Sequence, residues 1–175
     1  GAMFDVSEWQ WMNKEYLKAL PLLELQTLAR PFMNESLLQN LNAEHCNKLF
    51  ALLTEGAHLL TDFGPLAAKI LLAPAGRPES FPASAEHMAL ILSKAIELLE
   101  ISGQDLDHDA LGALLQILNT SIDLGKGPGK SKGAVLQTLR LALMGESHGP
   151  ALADLIAILG HQETLSRLKT LKQII

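Results

Sequence analysis

The chain has 175 residues and a formal net charge of −5, with 48% hydrophobic and only 5% aromatic residues. That length suits one large helical domain or two small ones, and the negative balance argues against a sequence-independent nucleic-acid binder, which needs a broad positive field. No run of roughly 18 apolar residues predicts a membrane span, and the single cysteine, Cys46, excludes an internal disulfide.

Gly1-Ala2-Met3 reads as the remnant of a cleaved tag and is set apart. Ser7 and Glu8 then mark a helix start, and Trp9, Met12, Tyr16, Leu17 and Leu20 recur at three- and four-residue steps, which predicts one buried helical face. Pro21 breaks this helix. A short one is expected from Leu22 to about Ala29, ended by Pro31. Asn42 is a good cap for a helix through Leu53 with Leu49, Leu52 and Leu53 inward. Residues 54–58, including Gly56, interrupt the pattern, and a further short helix is expected from Leu66 to Leu72. Cys46 falls within a helical pattern and reads as a small core residue.

Residues 73–82 carry Pro74, Gly76, Pro78 and Pro82 and cannot hold a helix. They predict a hinge, so the chain divides into helical subdomains over 4–75 and 76–175. Ser84 caps an expected helix to Glu100, closed at Gly103. Asp107 caps another, with Leu111, Leu114, Leu115, Leu118 and Ile122 on one face. Residues 125–133 form a Gly/Lys-rich loop without Walker spacing. Lysines and backbone amides there suit weak phosphate contacts at most. No strand is predicted, and the class is all-α.

The stretch from Gly133 to Leu152 is the most informative. Val135, Leu136, Leu139, Leu143 and Met144 share a helical face, and Arg140 interrupts an otherwise apolar or small run. Gly145 can end the helix in a left-handed conformation, and Pro150 can open the next at its first position. The expected product is a tight corner between two helices with one guanidinium beside it. Buried unpaired, that arginine is costly, so it needs an acidic partner, solvent or a ligand. Gly160 closes the second helix of the pair, and a last helix runs from about Gln162 to Lys172.

Catalytic signals are thin. The six histidines lie in different elements without the paired spacing of a metal site, and no Ser, Thr or Cys sits in a nucleophile elbow. No catalytic or metal-ligating residue is expected.

The run from Arg140 to Leu152, followed by Leu159-Gly160 and Leu165-Ser166-Arg167-Leu168, resembles the C-terminal end of bacterial-type glutamyl-tRNA synthetases, with Thr138 for the usual Pro and Met144 for the usual Thr. Trp11-Met12-Asn13-Lys14-Glu15-Tyr16-Leu17 is similar to the segment that opens the anticodon-binding half of that family. The resemblance spans Phe4 to Lys172 and leaves out the family's ATP-handling catalytic half.

It implies two consecutive small helical bundles forming an α-helical cage around the anticodon loop of a tRNA. Arg140 takes the place of the family arginine that bonds the first anticodon base. Gly149, Pro150 and Leu152 lie where the second helix's start packs on anticodon bases. Lys130 and Lys132 are candidate phosphate contacts on charge and nearness alone. Aligned on Leu60 and Phe63, Gly56 falls where glutamate-specific members carry an arginine that selects cytosine at the third anticodon position. One bidentate base contact is worth roughly 1–3 kcal/mol, so its absence implies a non-discriminating synthetase that accepts tRNA-Gln as well as tRNA-Glu. The fragment itself would need no cofactor, whereas the parent ligase would use ATP and Mg. The implied parent is cytoplasmic or organellar, a monomer, and binds neither DNA nor membrane. The alternative is a helical protein-interaction module with no RNA role.

Overall fold

The computed structural model of the chain describes residues 6–122 and 132–175. Its regular structure among these residues is helical throughout, in two compact units, Gly1–Leu72 and Ala73–Ile175.

The first unit holds α1 (Val6–Ala19), α2 (Leu22–Ala29), the short α3 (Glu35–Leu38), α4 (Ala43–Gly56) and α5 (Phe63–Leu71), with single 3-10 turns at Arg30–Phe32 and Leu60–Asp62. Caps start its helices. Asn34 Oδ1 accepts from Ser36 N at 3.1 Å and Asn42 Oδ1 from His45 N at 2.8 Å, each satisfying one orphan donor. Inside, Leu49, Phe50 and Phe63 are fully buried, and the Phe50 and Phe63 rings stack at 6.0 Å between centroids.

Three expectations change here. The predicted inner face of α1 is mostly outside: Leu17 is buried, while Trp9, Met12 and Tyr16 are 48, 60 and 64% exposed. Periodicity says which residues share a face, not whether anything covers it. α4 runs on through Gly56, because a glycine at a helix's last residue costs little, and α5 begins at Phe63, three residues before Leu66. Finally, α3 is too short to show a period and was not anticipated.

Gly64 explains how α5 approaches the turn at Arg30–Phe32. A Cβ there would lie 2.5 Å from the Phe32 carbonyl oxygen, an overlap with backbone. Alanine is favoured over glycine in helices by about 1 kcal/mol, but relieving this clash costs typically 1–3 kcal/mol. Gly64→Ala should therefore lower the melting temperature despite the better helix former. A raised value would show that the Phe32 turn yields freely.

The second unit holds α6 (Ala85–Ser102), α7 (His108–Ser121), α8 (Lys132–Met144) and α9 (Leu152–Ile174). α9 packs mainly on α6 and α8, and the core is aliphatic: Met88, Ile91, Leu92, Leu118, Leu143 and Ile158 are all closed to solvent. The predicted caps form, with Ser84 Oγ accepting from His87 N at 3.2 Å and Asp107 Oδ1 from Ala110 N at 2.7 Å. Gly103 closes α6 at φ +66°. The expected break at Gly160 is a kink inside α9 (φ +79°, ψ +171°), a backbone state glycine adopts readily. Asp105 accepts the His161 amide at 2.6 Å and so restarts the helix beyond it. One start moves: α9 begins at Leu152 with Ala151 as its cap, so Pro150 precedes the helix by two residues. Pro150 still shapes the entry, since its ring fixes its own φ.

Candidate RNA interface

The corner between α8 and α9 is built by two glycines. At Gly145 the backbone is left-handed (φ +77°), its amide reaches the Leu141 carbonyl at 2.9 Å, and an added Cβ would stand 3.4 Å from Pro74. Gly149 has φ +153°, and a Cβ there would meet Met144 Sδ at 3.4 Å. Both positions strain any L side chain. Residues 145–151 therefore turn the chain tightly and return Pro150 to the side of α8.

That return fixes Arg140. Its Nε donates to the Pro150 carbonyl at 3.0 Å, and the side chain is half-buried. Among the described residues no carboxylate pairs with it, and its two terminal nitrogens have no protein acceptor. One donor anchors the plane while the outer fork stays available, the geometry that suits bidentate recognition of a planar acceptor edge.

Arg167 is the contrasting case. Its side chain is 2% exposed, its Nε donates to Glu163 Oε1 at 2.9 Å, and its Nη1 donates to the Leu143 carbonyl at 2.7 Å. The last turn of α8 has no basic residue of its own. Arg167 reaches over from α9 to cap that turn and complement its partial negative charge. Of the two arginines in this stretch, one locks the corner and the other is presented by it. In sequence Arg167 stood only as a motif residue; the Glu163/Arg167 spacing of four was the available sign of its pairing.

The remaining expected site residues are placed unequally. Gly149 is exposed and Pro150 half-buried at the corner, but Leu152 is only 3% exposed. Its side chain belongs to the core, so it anchors the helix start and presents no surface for a base. Lys132 opens α8, with a side chain outside the described residues, and Lys130 lies outside them altogether. Gly56 is in the first unit, exposed at the end of α4 with an ordinary helical backbone; a Cβ there would meet only Leu66 Cδ1 at 3.7 Å. No conformational need for glycine exists at that position. Among the described residues no group of three or more His, Cys, Asp or Glu could hold a metal ion, and no helix is long and apolar enough to cross a membrane.

A family model described as "Anticodon binding domain" matches residues 24–172. The chain belongs to this family. It is 28% identical over 166 residues to glutamate–tRNA ligase 2 of Helicobacter acinonychis (95% of this chain, 35% of that protein). It is 30% identical over 172 residues to glutamate–tRNA ligase 2 of a Nitratiruptor species (96% and 34%). Among solved structures it is similar to a glutamate tRNA ligase from Elizabethkingia meningosepticum, with a TM-score of 0.76 and 25% identity over 99% of this chain and 33% of that one. The chain thus spans about a third of the length of these relatives and matches their C-terminal part.

Proposed function

We propose that this member of the anticodon-binding family reads the anticodon loop of tRNA-Glu on behalf of a glutamate–tRNA ligase. The supporting observation is Arg140, anchored by one hydrogen bond to the corner and left with an outward fork. Unpaired loop bases are recognised by such donors and by docking against backbone and apolar surface, which Gly149 and Pro150 offer beside it. With a net charge of −5 the chain is suited to neutralise few phosphates, so the complex should be weak and its affinity should fall only shallowly with salt. In this reading the ATP- and magnesium-dependent ligation belongs to the remaining length of the relatives, and the parent is a monomer of the cytoplasm or an organelle.

Selectivity rests on Gly56. A Cβ fits there, since it meets no closer atom than 3.7 Å, and the position is exposed. The absence of an arginine removes a contact worth roughly 1–3 kcal/mol, so the chain accepts tRNA-Gln as well. The test is a titration of the chain with anticodon stem-loops of tRNA-Glu and tRNA-Gln, followed by NMR. Both loops should perturb the amides around Arg140 and Gly149, and Gly56→Arg should weaken the tRNA-Gln loop roughly tenfold more than the other. Equal weakening would remove the relaxed selectivity. No perturbation around Arg140 with either loop would remove the RNA reading and leave a helical protein-interaction module.

A further inference from the structure

The chain has four arginines. Arg30 is paired with Glu35 at 2.6 Å and Arg167 with Glu163 at 2.9 Å. Arg77 and Arg140 have no carboxylate partner among the described residues, and both lie in the second unit. Arg77 is exposed, and its guanidinium carbon sits 5.2 Å from the centroid of the Phe81 ring. The guanidinium therefore lies against an aromatic ring while the residue stays exposed to solvent.

The three residues between this pair, Pro78, Glu79 and Ser80, form one wall of a groove of about 480 Å³. The opposite wall is the corner itself: Leu141, Gly145, Glu146, Ser147 and His148. Pro74, packed against Gly145, and the left-handed turn at Gly76 hold the wall in place. So the groove opens on the same corner that carries Arg140, whose chain neighbour Leu141 is in its lining. Its volume falls within the range of small-molecule sites. Glu79 in its lining disfavours a phosphate, while Pro78 and the exposed His148 offer surface to a flat ring. A base rather than a backbone group suits that lining.

We propose that Arg77, set against Phe81 at the edge of this groove, forms a second nucleotide subsite, in which an unpaired base of the same RNA loop enters the groove and stacks on the exposed Arg77 guanidinium. Arginine planes and aromatic rings are common platforms for splayed RNA bases. The inference rests on the anticodon-reading assignment above, and deepens it by adding a second contact that needs no base-specific hydrogen bond.

The test uses fluorescence anisotropy with a labelled tRNA-Glu anticodon stem-loop at fixed salt. Arg77→Ala should weaken binding about tenfold, the effect of losing one stacked base. Arg77→Lys should lose most of the same affinity, because the charge remains but the plane does not. Loops carrying 2-aminopurine at one unpaired position at a time supply a readout that a merely structural role would not move. At one position the emission should fall on binding to the unmodified chain and not on binding to Arg77→Ala. Arg140→Ala is the independent check on the underlying assignment. If it weakens binding while both Arg77 variants bind like the unmodified chain, the subsite is overturned and the anticodon reading stands. Full affinity in Arg77→Lys alone would overturn stacking in favour of a simple charge contact. An unmodified chain that binds no stem-loop would overturn both proposals.

Discussion

Replacing Arg140 with alanine should weaken binding of a tRNA-Glu anticodon stem-loop by one to two orders of magnitude, the equivalent of about 1–3 kcal/mol for one bidentate base contact. It should leave the melting temperature nearly unchanged. The two outcomes separate because the side chain does two unequal jobs. Its structural share is a single hydrogen bond to the Pro150 carbonyl on a half-buried side chain. Once the arginine is gone, water can take over that acceptor, so the lost bond costs about 1 kcal/mol at most. Its binding share is the outer fork. The loss should be greatest for loops carrying the correct first anticodon base, so that discrimination at that position relaxes. Measured dissociation constants for loops varied at that base would show it. Undiminished affinity in Arg140→Ala would mean that the guanidinium only ties down the corner.

The second large effect concerns stability. Arg167→Met keeps much of the side-chain volume but removes every donor, and should destabilise the chain by about 2–3 kcal/mol. By calorimetry the melting temperature should fall by roughly 5–10 °C. Two contributions compete. Replacing a buried ion pair by an apolar residue is often neutral or favourable, and the Glu163 end of this pair is 46% exposed, which makes the pair itself worth little. Against that, the Leu143 carbonyl loses a 2.7 Å buried bond from Nη1. A buried acceptor left without a partner costs roughly 1–3 kcal/mol, and this one sits in the last turn of α8, beside the left-handed Gly145. We expect the orphaned carbonyl to decide the sign. A melting temperature at or above that of the unmodified chain would show that the last turn of α8 needs no cap from α9.

These two arginines also show what was legible beforehand. Arg140 lies in an apolar helical stretch and Arg167 in a mixed one, and the local sign at Arg167, Glu163 four residues back, speaks for pairing but not for enclosure. The difference comes from the chain's return at residues 145–151 and from which faces of α8 and α9 meet. Local features were readable because their causes are local. Asn42, Ser84 and Asp107 cap helices through bonds to residues three along, and the breaks at Gly103, Gly145 and Gly160 follow from the backbone freedom of glycine. The face of α1 was misjudged because burial depends on a partner surface that periodicity does not report. Leu152 was misassigned for a related reason: the motif locates a helix start, while packing turns the side chain inward. Arg77 left no local signal at all, since its stack on Phe81 depends on how a proline-rich segment folds back.

One arrangement bears directly on how the chain can be watched. Trp9, Trp11 and Tyr16 are the whole complement of tryptophan and tyrosine, and all three lie on α1. Near-ultraviolet emission therefore reports on one exposed helix and is blind to Ala73–Ile175. An unfolding curve followed by that signal can look unchanged while the second unit has already melted. Far-ultraviolet dichroism, or a tryptophan introduced for Phe81, would bring the silent unit into view.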